Sequence, residues 1–402
     1  MSAVYLYDDA RARTFEPFAL TRPAGEMRAG ALLVRERWER ALRLPVAGHI
    51  TSPHLTGFEE SGAAPVITAG VIPAGAWLVN ARFAPAPHAM PRGEVLLASN
   101  RVAALKAGVP MDVAELCDAT TTLDQYAARL PRETSAIHGW WMEQVWDYIA
   151  HLVPMLEQDI PALGAQLSLA TPAGTIRIGE HELFVEAGAI VEPQVCFDLS
   201  AGPILLRAGS HVQAFTRLVG PLYVGHGSTV TTDRIAASAI GDVCRVHGDV
   251  SNTIFIGHAN KGHDGFVGHS ILGRWVNLGA GTITSNLKNT YGTVQLWTPD
   301  GVRETGLQFL GTLFGDHAKT GIGLRLTTGT VIGAGANVYG NVLPSKAVAP
   351  FSWGEAGALA AYRVDKFLQV AERMMARRQV TLTDGARRQL LASYEKRWRF
   401  ES

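Results

Sequence analysis

Between residues 206 and 338, aliphatic side chains stand six positions apart in three separate series. Leu206, Val212, Leu218, Val224 and Val230 make one series. Leu272 and Leu278 repeat the interval, with Thr284 next, and Leu326, Ile332 and Val338 make a third series. A glycine often follows the aliphatic, as in Val224-Gly225, Ile240-Gly241, Leu272-Gly273, Leu278-Gly279 and Ile332-Gly333. A short fixed repeat is the mark of a solenoid, whose units bury their apolar sides only by stacking on one another. Six residues are one short strand plus a tight turn, and three such units close a triangular coil. A β-sandwich would alternate with period two and turn every ~8–12 residues. The pattern therefore predicts a left-handed parallel β-helix.

The pattern before residue 165 is different. Val4–Tyr7, 76–79 and 94–98 are short apolar runs that predict strands. Residues 33–42 place Val34, Trp38, Ala41 and Leu42 on one helical face, and helices are also predicted over 112–129 and 140–156. Alternating strands and helices predict an α/β domain with a largely parallel sheet, which binds ligands at the carboxyl ends of its strands. Helical spacing returns over 361–378 and 384–399. These helices are expected to cap the solenoid, whose last coil would otherwise expose strand edges and core.

Glycine usage sharpens the boundary, since residues 174–340 hold 28 of the 42 glycines. The expected division is 1–168 for the α/β domain, 169–354 for the β-helix and 355–402 for the helical cap. Thirty-six basic and 36 acidic side chains balance, which gives no reason to expect nucleic acid as a partner. The three cysteines, Cys117, Cys196 and Cys244, form no CxxC pair. With no signal-peptide pattern at the start and no apolar run of roughly 20 residues, a cytoplasmic protein without a membrane partner is expected.

Polar chemistry is densest at Gly257-His-Ala-Asn-Lys-Gly-His-Asp-Gly-Phe-Val-Gly-His-Ser270, followed by Leu278-Gly-Ala-Gly-Thr-Ile-Thr-Ser-Asn-Leu-Lys-Asn289. The stretch 263–286 is similar to the acetyltransferase half of the bifunctional glucosamine-1-phosphate acetyltransferase / N-acetylglucosamine-1-phosphate uridyltransferase family. The chain as a whole resembles an alternative bacterial branch of it, the sugar nucleotidyltransferases. The marks of that branch are Leu20-Thr-Arg-Pro23 with Glu26, Arg28 and Gly30, Val79-Asn-Ala-Arg82, Gly262–Ser270, Gly306–Gly311 and Gly315–Lys319.

The resemblance implies acyl transfer from acetyl-coenzyme A, or another acyl-coenzyme A, to an amino-sugar phosphate. An ammonium has no lone pair, so a base is needed to free the amine. The resemblance puts that base on His263, with Asp249 as an acidic partner that orients it. It puts substrate contacts on Asn286 and Asn277. It puts the acyl-coenzyme A site on Thr312 and Gly279, and on Lys319 and His317 of the Gly-Asp-His-Ala-Lys run. Thr312 is the candidate to stabilise the thioester oxyanion. It also implies a homotrimer.

Two positions depart from the family. Ser251 stands where a lysine grips the sugar phosphate, and Phe266 where a tyrosine is usual. Lys261, Lys288 and Lys319 are the candidates to supply that charge. In the N-terminal half the glycine-rich phosphate loop is missing, because the first strand runs into Asp8-Asp-Ala-Arg-Ala-Arg13. Arg22 and Arg28, with Asn80 and Arg82, are then the candidate ligands of an NTP. Asp8 and Asp9 are the candidates to hold Mg²⁺ for nucleotidyl transfer to a sugar 1-phosphate. Against this stand three plainer expectations. Arg22 and Arg28 pair with Glu26 or Glu36, the protein is a non-catalytic scaffold, or His226, His258 and His263 hold zinc between subunits.

Overall fold

The computed structural model describes residues 3–128, 133–167 and 171–399. The expected boundary at 168–169 and the end of the 112–129 helix at Arg129 lie outside them. The chain falls into two compact units, one of residues 1–147 with 381–396, the other of 148–380 with 397–402.

The first unit is built on six strands: β1 (Val4–Tyr7), β2 (Val46–Ile50), β3 (Trp77–Asn80), β4 (Val95–Ala98), β5 (Arg101–Lys106) and β6 (Thr134–Ala136). Their order across the sheet is β6-β4-β5-β3-β1-β2. All neighbours run parallel except β5, which is antiparallel to both β3 and β4. The alternation of strand and helix signals thus gives a mixed sheet. Helix α1 (Val34–Leu42) forms where expected and buries Val34, Trp38 and Ala41. The Glu36 carboxylate accepts the Leu33 N–H at its start, and the Trp38 indole donates to Phe83 O.

The helix expected over 112–129 is broken. Only a 3₁₀ turn (Val113–Leu116) and a short helix (Leu123–Ala127) form. Asp118 takes the Thr120 N–H, and Thr122 and Gln125 make a new capping box. The region 140–156 is also divided, into a strand (Gly139–Trp141), a short helix (Asp147–Ala150) and helix α2 (Leu152–Gly164). Helix α2 belongs to the second unit, where it lies on the strands Ile204–Leu206 and Leu222–Val224.

The second unit is the parallel β-helix. Its strands form ladders on three faces. Face I comprises Ile176–Ile178, Cys196–Asp198, Thr216–Val219, Asp233–Ala236, Asp249–Ser251 and Phe266–Gly268, in parallel register. Face II runs from Leu183–Val185 to Ala347–Val348, and face III from Ile190–Val191 to Ser352–Glu355. Leu206, Val212, Leu218, Val224, Val230, Leu272, Leu278, Leu326, Ile332 and Val338 all enter one apolar core, and Thr284 is fully buried among them. Residues 287–311 leave the coil as an insertion carrying a hairpin (Gln295–Thr298 with Gly301–Glu304). Glycines at the turns are there for space: a Cβ at Gly279 would lie 2.6 Å from the Gly321 backbone.

The two C-terminal helices part company. Helix α3 (Val364–Ala376) lies against the last coils, where Phe367 meets Phe351 and His317 edge-on. Helix α4 (Asp384–Lys396) was expected to cap the β-helix and instead completes the first unit. There Ser393 Oγ donates to Leu20 O and Gln389 Nε2 to Thr21 O. Amphipathic spacing shows that a helix has an apolar face but not which surface covers it.

Candidate functional site

In the first unit β1 lies between β2 and β3, so the chain changes sides there and opens a topological switch point at the carboxyl ends of β1 and β3. Asp8 and Asp9 follow β1, and Asn80 and Arg82 end β3 and its turn. The place is filled by the protein itself. Arg82 Nη2 bonds Asp9 Oδ2 at 2.7 Å and Nε bonds Oδ1 at 2.8 Å. Asn80 Nδ2 and the Ala12 N–H supply further bonds to Asp9. Arg82 Nη1 goes to Met142 O and Glu143, and the guanidinium lies 5.5 Å from the Trp141 ring. Burial by itself raises the Asp9 carboxyl, but the bonds and charge of Arg82 outweigh it and hold the group below its ordinary value.

Asp8 differs. Its Oδ2 accepts from Thr51 and from the Ala24 N–H, and burial raises its carboxyl. Its Oδ1 is buried without a hydrogen-bond partner. Arg22 is 1% exposed and holds Glu60 at 2.8 Å, and also donates to Glu26 O. Arg28 is buried and donates to Ala31 O. Glu26 takes Arg35 at 2.7 Å and His49 at 3.0 Å, and Glu36 caps α1. As they stand, Arg22, Arg28, Asn80 and Arg82 spend their donors on the protein.

The β-helix presents a different surface. His263 lies exposed at the corner where face III turns into face I. Beside it is a groove of about 640 Å³ lined by Arg217, Asp233, Arg234, Gly248, Asp249, Asp264, Gly265 and Phe266. Arg217, Arg234, Asp249 and Phe266 occupy one register row on four successive strands of face I. Asp249 is thus the neighbour of Phe266, and its carboxylate pairs with Arg234 at 3.5 Å. Further along the face, Phe266 and Asn286 converge over Gly268, where a Cβ would lie 2.5 Å from Phe266 Cζ and 2.6 Å from Asn286 Nδ2. Asn286 donates to His269 Nδ1 at 2.9 Å, and the His269 ring stacks on Phe309 at the base of the insertion. Burial brings His269 down to about 4, so the ring is neutral near pH 7.

The remaining candidates are scattered. Asn277 is on face III, in line with Lys319 and accepting from Asn260. Lys319 donates to His317 O at 3.1 Å, and burial lowers its pKa to about 8. The His317 ring is packed among Trp275 and Phe367. Lys288 donates to Thr293 O within the insertion. Lys261 is buried and points inward. Thr312 is wholly buried and its N–H is donated to Ser270 Oγ at 2.9 Å, so neither group faces a thioester. It ends an internal ladder in which Ser238 Oγ takes Thr253 N, Thr253 Oγ1 takes Ser270 N, and Ser270 takes Thr312 N. The zinc trio is divided, with His226 and His258 at the corner between faces II and III and His263 at the next.

One cluster was missed in the sequence. Asp233, His247 and Asp264 bring a ligand atom each to within 4.8 Å of one another. Their separations along the chain follow the coil length and no metal-binding motif, so only the register reveals them. His247 Nε2 lies 3.3 Å from Asp233 and 3.5 Å from Asp264.

Residues 4–166 match the family model described as sugar nucleotidyl transferase. A bifunctional sugar-1-phosphate nucleotidylyltransferase/acetyltransferase of Sulfurisphaera tokodaii is 31% identical over 91 residues, covering 23% of each chain. A bifunctional GlmU of Carboxydothermus hydrogenoformans is 25% identical over 195 residues, covering 44% of this chain and 40% of its own. The matched stretches thus span less than half the length of these relatives. Among solved structures, the S84A variant of the N-acyltransferase AntD from Bacillus cereus, in complex with dTDP-4-amino-4,6-dideoxyglucose and coenzyme A, overlaps 50% of this chain and 92% of its own. The identity is 12% and the TM-score 0.23.

Proposed function

We propose that this protein is a two-domain transferase of nucleotide-sugar synthesis. The β-helix moves an acyl group from acyl-coenzyme A to the amine of an amino-sugar phosphate. The N-terminal unit transfers a nucleotidyl group from an NTP to a sugar 1-phosphate. The observation that carries the acyl-transfer reading is the groove next to the His263 turn. His263 is exposed and directly precedes Asp264 and Gly265, which line the groove. Phe266 and Asn286 meet over Gly268, and Arg217 and Arg234 on the groove wall supply positive charge in place of a lysine at Ser251. His263 takes the proton from the acceptor ammonium so that nitrogen can attack the thioester carbonyl. The arginine forks match a sugar phosphate. The names borne by the Sulfurisphaera and Carboxydothermus relatives support both activities.

We place the protein in the cytoplasm as a homotrimer, with the acyl-coenzyme A lying between neighbouring prisms. No helix among the described residues is long and apolar enough to cross a membrane. Mg²⁺ fits the N-terminal unit only poorly. Both Asp9 oxygens already accept bonds from Arg82, and Asp8 offers a single open oxygen. The filled switch point favours a second reading for this unit alone, binding of a nucleotide sugar without turnover.

The test is release of free thiol from acetyl-coenzyme A with a panel of amino-sugar 1-phosphates, glucosamine 1-phosphate first. Silence across the panel would remove the acyl-transfer reading. Melting temperatures with NTPs and sugar 1-phosphates address the first unit, since a ligand at 100 times its dissociation constant adds about 2.7 kcal/mol. Light scattering addresses the trimer, and a strict monomer at micromolar concentration would exclude a shared site.

A further inference from the structure

The inward-facing column of face III is aliphatic on both sides of one residue. Val212, Val230 and Val246 precede it and Leu278 follows, each buried in the core. Between Val246 and Leu278 the column holds Lys261, 1% exposed and directly in register with Val246. A charged group taken from water into an apolar column costs free energy unless its donors are satisfied. A valine or leucine there would continue the column, so stability does not account for the lysine.

Its ammonium shows what does. Lys261 Nζ donates to His247 O at 2.8 Å and to His263 O. These carbonyls belong to the face III–face I corner of two successive coils. A Cβ at Gly248, in the upper corner, would lie 2.7 Å from Nζ, 2.7 Å from Gly265 O and 3.1 Å from His263 O. Nζ therefore sits between the two turns and ties them together from inside. Outside, Asp233, Asp249 and Asp264 surround the corner with negative charge. Burial lowers the Lys261 pKa to about 8 even against the pull of these carboxylates. The turn that Lys261 clamps is Gly262-His263-Asp264-Gly265, and it carries the exposed His263 imidazole.

We propose that Lys261 is a positioning residue that holds the His263 turn against the preceding coil from within the core. This rests on the reading of His263 as the base of acyl transfer. Lys261 touches neither substrate nor acyl donor. It fixes the backbone from which the imidazole projects, and a loss of about 1 Å in placement costs a reaction on the order of 10²-fold. The His263 carbonyl is one of the two groups it holds, so the effect acts on that turn before any other part of the groove.

The test is Lys261→Met, which restores an apolar side chain of similar length, alongside Lys261→Gln, whose amide N–H can reach one carbonyl. Lys261→Met is expected to melt at or above the wild-type temperature. Amide hydrogen exchange at residues 262–265 should quicken while face II stays protected. The kcat for thiol release should fall about 10²-fold, with the KM for acetyl-coenzyme A unchanged and Lys261→Gln between the two. Exchange at 262–265 equal to wild type would overturn the proposal, as would a fall in melting temperature with exchange raised evenly through the coil. A kcat unchanged in Lys261→Met would overturn it too. If wild-type protein releases no thiol with any acceptor, the acyl-transfer reading fails, and the exchange pattern alone still decides whether Lys261 holds the turn.

Discussion

Arg82 in the first unit and Arg234 in the β-helix carry the same guanidinium into opposite surroundings. Arg82 is 4% exposed and divides its donors between Asp9, Met142 O and Glu143. Arg234 is half exposed, 3.5 Å from an equally exposed Asp249, on the wall of a groove. Removing one partner of the first pair leaves a buried charge, whereas the second pair is worth ~0–1 kcal/mol and can be exchanged for a ligand. The charge of Arg82 holds the first unit together, whereas the charge of Arg234 on face I is open to exchange.

The strongest test of this contrast is His263→Ala. An exposed residue on the groove side should be expendable for stability, within about 0.5 kcal/mol, and indispensable for rate. The kcat for thiol release should drop 10²–10⁴-fold, as roughly expected for loss of a general base. Coenzyme A affinity should be kept. His258→Ala and His269→Ala are the matched controls, and equal loss in all three would end the special status of His263.

Arg82→Ala probes the other side. It strands Asp9 in the interior, and denaturant unfolding of the first unit should show a loss of about 3–5 kcal/mol. A loss under 1 kcal/mol would mean that the switch point is an open site whose arginine awaits a ligand.

Acid should act through Glu26. Burial raises this carboxyl, but the bond and charge of His49 and the Arg35 guanidinium outweigh it and bring the pKa down to about 2. With a folded pKa below the unfolded one, the stabilisation is complete above pH ~4.5 and lost as pH falls toward 2, about 3 kcal/mol in all. Asp8, raised by burial, acts in the opposite sense. Glu26→Gln should therefore flatten the acid limb of the stability curve between pH ~4.5 and 2. An unchanged limb would assign acid sensitivity elsewhere.

The smallest expected effect is Thr312→Val. The hydroxyl is buried with no hydrogen-bond partner, and removing such a group is neutral or stabilising by up to ~1 kcal/mol. A higher KM for acetyl-coenzyme A in this variant would instead return Thr312 to the acyl-donor site.

How much of this was legible in the sequence follows from the range of the interactions. The β-helix was, because the prism interior admits one inward side chain per unit, and that rule is written at six-residue intervals in the three series Leu206–Val230, Leu272–Thr284 and Leu326–Val338. His263 could be singled out from the resemblance and from the richness of its neighbourhood. Its companions could not. Asp249, fourteen residues before His263, is paired by coil length with Phe266, so a spacing in the sequence became a different spacing in register. The fate of Arg22 was hidden because its partner Glu60 is 38 residues away. A lysine beside a histidine reads as a ligand for phosphate, and only the column Val230–Val246–Lys261 shows that it points inward.

Helix α4 has a consequence for the order in which the molecule can be made. The carbonyls of Leu20 and Thr21 find Ser393 and Gln389 only after the whole solenoid has been translated. On the ribosome the first unit emerges first and is completed last, waiting for residues 381–396 with part of its surface uncovered. No single cut separates two whole domains, and a truncation ahead of residue 381 removes part of the first unit as well as the tail.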